Sequence, residues 1–442
     1  MSQPLVRQLN KWHGYAMMIG GMIGAGLFVV TGEAGGQAGP SVPFGYLVLL
    51  PIILCTAVGY LVFLSTPLGD EPGGAYTHIS RTFNNPLIGF IFMWFQYIAL
   101  IGVISIMGIS FGQFIAPLFP GISPVALASV IVLLFYALNV VEVRWFGRIQ
   151  LWMTAILLIA IAVLVIPGLF SMNLGYYKPL FPFGLDGFIR ILPSLFFSYF
   201  GFEQLAQAGG EMKNSRSSMP KTMLIGLFVT AIIYFSVSFV AFGHLPYQTL
   251  AKSHHAMADV SAQYLPGIGK WVVTLGIVMA FATTLNSVLM VASRMLYSFS
   301  KDRALPKIFA RVNSRFGTPH LALTVNTVLV LLLLWTHTLQ FILNISLQGM
   351  FIMYIGHAFA LLALPFVRPQ LYESARVKPP KWLVVLCGVV SITVLVSFSY
   401  HLILSVWPLL TVWLAAGLAL YFLNYWAHAG ERSKVRLIGD RE

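Results

Sequence analysis

Residues 18–31 read MIGGMIGAGLFVVT, an apolar run of membrane-spanning character interrupted by Gly20, Gly21, Gly24 and Gly26. Glycines clustered at mid-membrane let a helix unwind, and unwinding frees backbone N–H and C=O groups that hydrocarbon cannot satisfy. Amides at the start of the second half-helix then face an anionic group, and carbonyls ending the first half face a cation. An α-amino acid carries both charges on one molecule. The competing reading is an unbroken helix packed closely through its small residues.

The run belongs to a chain of 442 residues, 58% hydrophobic and 9% charged, with mean hydropathy +0.84, far from the composition of a soluble domain. Apolar runs of about 18 residues or more recur along it, each long enough to cross roughly 30 Å of hydrocarbon. The alternating pattern of a membrane barrel is missing, so the spans are helices. The first run follows Arg7 and Lys11 and lacks a small-residue cleavage site, so it is expected to be a retained span and not a signal peptide. A net charge of +13 suggests nucleic acid only until its placement is considered. Apart from Lys178, Arg190, Lys252, Lys270 and Arg294, the Lys and Arg residues fall on one side of the predicted spans, which marks that side as cytoplasmic and excludes a nucleic-acid partner. Cys55 and Cys387 lie in apolar spans and support no disulfide.

Apolar runs and loop punctuation place spans near 14–36, 42–65, 87–117, 124–142, 149–169 and 187–210, then 221–243, 270–299, 319–336, 340–366, 382–404 and 406–426. The fold class is therefore all-α integral membrane with twelve spans, a single domain over residues 1–430 with both termini cytoplasmic and a basic tail at 431–442. Residues 67–86, PLGDEPGGAYTHISRTFNNP, contain an amphipathic piece expected at the cytoplasmic face beside the pathway. On the other side, residues 244–269 are long enough either to cover an external vestibule or simply to connect two spans.

The sixth span repeats the anomaly of the first. Ser198-Tyr199-Phe200-Gly201-Phe202-Glu203 puts a glycine and a carboxylate inside an apolar run, with Gly209 and Gly210 beyond. Two broken helices five spans apart are what a 5+5 inverted repeat produces, with residues 14–169 and 187–366 as its halves and 382–426 appended.

Four stretches together are specific enough to name a family: MIGAGLFVV (22–30), PGGAYTHISRTF (72–83), SYFGFEQLAQAGGEMKNSRSSMP (198–220) and SFSKDRALPKIFARVNSRFGTP (298–319). In this order the chain resembles the amino acid, polyamine and organocation (APC) superfamily of secondary transporters. The resemblance implies a leucine-transporter-like fold and alternating access in the plasma membrane to a site at the bilayer midplane. Carried over, it implies that Ile23, Gly24, Ala25 and Gly26 bind the carboxylate and amine of an amino acid substrate. Phe197, Ser198, Phe200 and Gly201 complete that shell, and an aromatic at 197 or 200 acts as a gate. The physical chemistry agrees, because amides of an unwound turn hold a carboxylate without a charged side chain.

Glu203 is the carboxylate placed well inside a span, where a charge tends to hold a proton or find a partner. Proton relay, contact with a cationic substrate and a structural brace all remain open for it. Some proton-coupled relatives carry a lysine about ten residues after the Gly-Arg that here is Gly147-Arg148; this chain has Leu157 there. Ala280, Thr283 and Thr284 resemble instead the sodium-site pattern of leucine-transporter-like proteins, and with the carbonyls of Gly20 and Ile23 they form an all-oxygen shell suited to a hard cation. The competing role for the threonines is a bond to backbone carbonyls one turn back. Sodium coupling is thus preferred to proton coupling, and no other cofactor is expected. Arginine and polyamine exchangers of the superfamily stack a tryptophan on their cation; the matching position holds Val288, so a neutral amino acid is favoured over a cationic amino acid or polyamine. Gln96, Asn286, Ser287, Gln348 and Tyr354 are expected to hydrogen-bond between helices. Adjacent His254 and His255 lack metal-ligand spacing, and neither a phosphate loop nor a catalytic cluster is visible, which argues against a pump or an enzyme. A channel or a transporter-like receptor is the alternative of a different class. Oligomeric state is not legible.

Overall fold

Asn10 starts the first helix by accepting the N–H groups of Trp12 and His13, while its own N–H donates to the His13 ring, a reciprocal cap. The computed structural model describes residues 7–24, 26–140, 143–253, 255–265, 267–313, 315–336 and 339–427. Ala25, His254 and the tail at 431–442 lie outside the described residues.

The helices are α1 (Lys11–Met22), α2 (Thr31–Ala38), α3 (Val42–Ser65), α4 (Ala75–Phe83), α5 (Pro86–Ile115), α6 (Pro124–Val140), α7 (Val143–Ser171), α8 (Gly184–Ser198) and α9 (Gln204–Gln207). They continue with α10 (Ser215–His244), α11 (Tyr247–Lys252), α12 (Ala256–Tyr264), α13 (Ile268–Lys301), α14 (His320–Thr336), α15 (Leu339–Val367), α16 (Pro369–Glu373) and α17 (Lys381–Ala427). Among the described residues, eight helical stretches are long and apolar enough to cross a bilayer, and α6 and α14 are shorter apolar helices. Among the described residues the one strand-like pairing is a bridge between Leu9 and Met212.

Both interruptions predicted from glycine are present. α1 stops at Met22, Ile23 is extended at φ −78°, ψ 95°, and Gly26–Val30 resume in wide π-type turns before α2. α8 stops at Ser198, and α9 begins only at Gln204. α5 and α13 form the buried centre, with residues 280–300 of α13 buried without interruption. Large apolar side chains on the rim, among them Trp152, Phe170, Trp335, Leu404 and Trp407, are exposed, as they are where lipid is the solvent.

The expected spans at 382–404 and 406–426 run as one helical trace, α17, 47 residues long. Its ends are held at the same face. Val377, just before it, donates to Ser65 Oγ at the end of α3, and Asn424 donates to the Arg303 carbonyl just after α13. Arg81 of α4 pairs with Asp302 and Glu71, which ties these termini together. Basic residues crowd this face, called the basic face below.

Candidate functional site

Side chains of α7 and α13 reach carbonyls of α1 on the approach to the first break. Gln150 and Thr154 of α7 donate to Ala16 O at 3.2 and 3.1 Å, Ser287 of α13 donates to Met17 O, and Thr284 donates to Gly20 O at 3.1 Å. Each captured carbonyl is one that a membrane helix must otherwise satisfy itself. Asn286 and Asn139 extend the same chain, from α6 through α13 to Gln150.

Tyr234 of α10 joins the two breaks. Its hydroxyl lies 2.7 Å from Met22 O and 2.5 Å from Ser198 O, the last carbonyls of α1 and α8. Tyr46 of α3 does the same one layer further on: its hydroxyl reaches Thr31 Oγ1, Gly26 O and Ser198 Oγ at 2.7, 3.3 and 3.3 Å. The segments are in direct contact, since a Cβ added to Gly26 would sit 2.5 Å from Ser198 Cα. Gly201 adopts φ +118°, a conformation that side chains rarely accept, and faces Gly21 O across the second break.

The structure therefore brings Gly20, Ile23, Gly24 and Gly26 together with Ser198, Gly201, Ala280, Thr283 and Thr284. Thr284 Oγ1 lies 3.1, 3.5 and 3.2 Å from the carbonyls of Gly20, Ile23 and Ala280, and Thr283 donates to Ala280 O at 3.0 Å. Both threonines bond to the Ala280 carbonyl one turn back, and Thr284 also faces the α1 carbonyls. Phe197 and Phe200 are buried and parallel, ring centroids 6.4 Å apart.

Glu203 is fully enclosed. Tyr354 of α15 donates to it at 2.6 Å, the Gly201 N–H at 3.0 Å and Gln96 of α5 at 3.3 Å. This ties the second break to two neighbouring helices, the brace among the three roles left open for it. Asn286, Ser287 and Gln348 likewise bond between helices, Gln348 to Ser399 of α17.

At the basic face the segments before α1 and after α9 are latched together. Arg294 of α13 donates through Nε and Nη2 to Glu211 Oε1 at 3.2 and 2.9 Å, in a pair that is 4% and 1% exposed. The Glu211 carbonyl accepts from Leu9 N and the Leu9 carbonyl from Lys213 N, so the segment before α1 is stitched to the segment after α9. Asp70 adds bonds to Arg216 and Ser215. The opposite face is looser. There α11 and α12 fold over α2, and Phe28, Ser110, Phe114, Lys252, His255 and Phe281 line a cavity of about 120 Å³.

Tyr46, Tyr234, Gln150, Thr154 and the Glu211–Arg294 pair are absent from the sequence-derived set. The available signal was a polar group inside or at the end of a span, which requires a partner whatever its role.

Comparison with known proteins agrees with this geometry. The Amino acid permease family matches residues 9–423. The methylthioribose transporter of Bacillus subtilis (strain 168) is 25% identical, over 97% of this chain and 95% of that protein. The branched-chain amino acid permease BcaP of the same organism is 24% identical over 72% of each, and the D-serine/D-alanine/glycine transporter of Escherichia coli 26% identical over 74% and 72%. A match running from the residue that latches the N-terminal segment to the end of the last helix, over a bundle with two facing helix breaks, places the chain in the amino acid permease family, within the APC superfamily.

Proposed function

We propose that the protein is a secondary active transporter that moves a neutral α-amino acid across the plasma membrane by alternating access, coupled to sodium. The observation that carries this reading is the contact between the two breaks, stapled by Tyr234. The substrate carboxylate takes the amides from Ile23 through Ala25 to Gly26, its ammonium takes carbonyls at the ends of α1 and α8, and Phe197 or Phe200 closes over it. Twelve spans arranged as a 5+5 inverted repeat fit the spacing of the breaks, and the common anchoring of both ends of α17 fits two crossings by that helix. The charge of the basic face supports termini in the cytoplasm.

The coupling ion fits the carbonyls of Gly20, Ile23 and Ala280 with the hydroxyls of Thr283 and Thr284. A hard cation held by oxygens at about 2.3–2.6 Å needs neighbouring oxygens about 3.3–3.7 Å apart. Thr284 Oγ1 meets its carbonyls at 3.1–3.5 Å, a shell that needs only slight expansion. A neutral substrate is favoured because the oxygens of Glu203 are already engaged by Tyr354, Gly201 and Gln96, and Val288 offers a cation no aromatic face. The names of the relatives extend from amino acids to methylthioribose, so the test must include it.

The test is thermal stabilisation of purified protein by the standard amino acids, putrescine, agmatine and methylthioribose, each in sodium and in choline. A ligand at 100 Kd adds about 2.7 kcal/mol to the native state. A neutral amino acid that stabilises more in sodium supports the reading. Stabilisation by methylthioribose or a diamine alone overturns the substrate assignment, and equal shifts in choline overturn the coupling. Accelerated exchange of labelled substrate across proteoliposomes separates a carrier from a channel.

A further inference from the structure

The geometry points to a second, transient binding site for a cation on the cytoplasmic side of the substrate site, lined by Gln204, Gln207 and Glu211. It rests on the carrier reading above and names the path by which an ammonium group or the coupling ion leaves.

Gln204 and Gln207 open and close the single turn of α9, and Glu211 lies in the turn that follows it. They are 0%, 2% and 1% exposed. Each nevertheless keeps a buried atom without a protein partner among the described residues: Oε1 and Nε2 of Gln204, Oε1 of Gln207 and Oε2 of Glu211. Buried polar atoms are nearly always paired, and four orphans on one short segment require a common explanation. The Glu211 Oε2 orphan does not depend on how an amide O and N are assigned.

The row has a direction. The Gln204 amide sits beside Gly201 of the second break and beside the last turn of α1, because a Cβ on Gly201 would lie 3.1 Å from Gln204 Nε2 and one on Gly21 would lie 3.0 Å from Gln204 Oε1. Gln207 approaches Gly74, where α4 begins, and Glu211 ends the row in the latch. One end therefore opens on the substrate site and the other on the gate to the cytoplasm.

The chemistry has a sign. Three of the four orphans are acceptors, and Glu211 is a carboxylate with only Oε1 engaged by Arg294. The Arg294 guanidinium directs Nε and Nη2 to Glu211 Oε1 and Nη1 to Ser293 Oγ. An acceptor-rich row fits a group that only donates, such as an ammonium, or a hard cation held by oxygens. It offers a departing carboxylate nothing comparable.

The experiment uses the full chain in membrane vesicles, with Cys55 and Cys387 replaced by Ser and a single reporter cysteine, Gln207→Cys. The probes are 2-aminoethyl methanethiosulfonate, a cation, and 2-sulfonatoethyl methanethiosulfonate, an anion. Applied from the cytoplasmic side, the cation is expected to react at least tenfold faster, relative to the same ratio at an exposed control, Ser374→Cys. Glu211→Gln should bring that ratio to the control value; if that protein does not fold, Gln204→Leu should lower it. Protection by sodium chloride but not choline chloride assigns the row to the coupling ion, and protection by methylammonium chloride assigns it to the substrate ammonium. Ratios equal to the control, no reaction from the cytoplasmic side, or no protection by either cation overturn the site and leave a hydrated gap. None of these readouts needs the substrate. A cation preference retained in a protein that binds no amino acid therefore defeats the carrier reading and spares the row.

Discussion

Gly26→Ala is the perturbation whose outcome follows most directly from coordinates. The added Cβ would lie 2.5 Å from Ser198 Cα, 2.8 Å from Ser198 Oγ and 2.9 Å from Ser198 Cβ. The hydroxyl can rotate away, but Cα belongs to the backbone of the second break. Carbon atoms prefer about 3.5–4.0 Å, so the two segments must part by roughly 1–1.5 Å. Overpacking of this kind costs about 1–3 kcal/mol of stability, which a folded membrane protein survives with a lowered Tm. The larger effect falls on the ligand, whose carboxylate and ammonium are held by both segments at once. A displacement of about 1 Å in such a shell costs on the order of 100-fold, or about 2.8 kcal/mol. The assay is the stabilisation curve with the amino acid found in the panel, with Gly14→Ala as control. A Cβ at Gly14 meets first the flexible tip of Met212, at 3.1 Å, which can move. The expected result is a loss of affinity near 100-fold for Gly26→Ala and less than about threefold for Gly14→Ala. If Gly26→Ala binds like the unmodified protein, the two breaks do not share a ligand.

Tyr234→Phe removes the hydroxyl from the carbonyls of Met22 and Ser198, leaving buried acceptors short of a donor; a loss of about 1–3 kcal/mol by thermal unfolding is expected, together with weaker substrate binding. Thr284→Val keeps the shape of the side chain and deletes the oxygen that faces Gly20, Ile23 and Ala280; stabilisation by sodium should vanish while choline controls stay unchanged, and a retained sodium effect places the ion elsewhere. His78 of α4 is buried against His357, 3.0 Å away, and burial first, then its neighbour His357, hold its pKa well below the ordinary 6.5. It is neutral when folded and charged when unfolded in acid, so its stabilising contribution is whole above about pH 6.5 and is lost as the pH falls from there toward its folded value. That loss is at most about 1.4 kcal/mol per pH unit for one proton, and His78→Gln should flatten the decline of Tm between pH 7 and 5; an unchanged slope refutes this assignment.

Most of the architecture was legible because lipid imposes length and apolarity on each span. The expected span at 42–65 coincides with α3, and the runs near 87–117, 270–299 and 340–366 differ from α5, α13 and α15 by a few residues at either end. The breaks at residues 23–26 and 199–203 were legible because glycine clusters recur five spans apart, the second beside a carboxylate, a pattern that helix packing through small residues does not require. Individual partners were not. Nothing in the neighbourhood of Tyr234 in sequence says that its hydroxyl will meet carbonyls 36 and 212 positions away. The Glu211–Arg294 pair escaped for a related reason: each residue read as the end of a span, and only packing reveals that both are enclosed. The spans expected at 382–404 and 406–426 correspond to two candidate spans, Lys381–Tyr400 and Leu402–Ala427, although helical geometry runs through both as α17.

The central claim is that one ligand occupies the gap between the two broken helices. The most direct measurement is a cryo-electron microscopy map of the protein with its stabilising amino acid and sodium. The account predicts ligand density bounded by residues 23–26 and 197–201, its carboxylate within hydrogen-bond distance of the amides of the first break, and a second peak beside Thr284. Ligand density in the cavity between Phe28, Lys252 and His255, with the gap between the breaks unfilled, would contradict it.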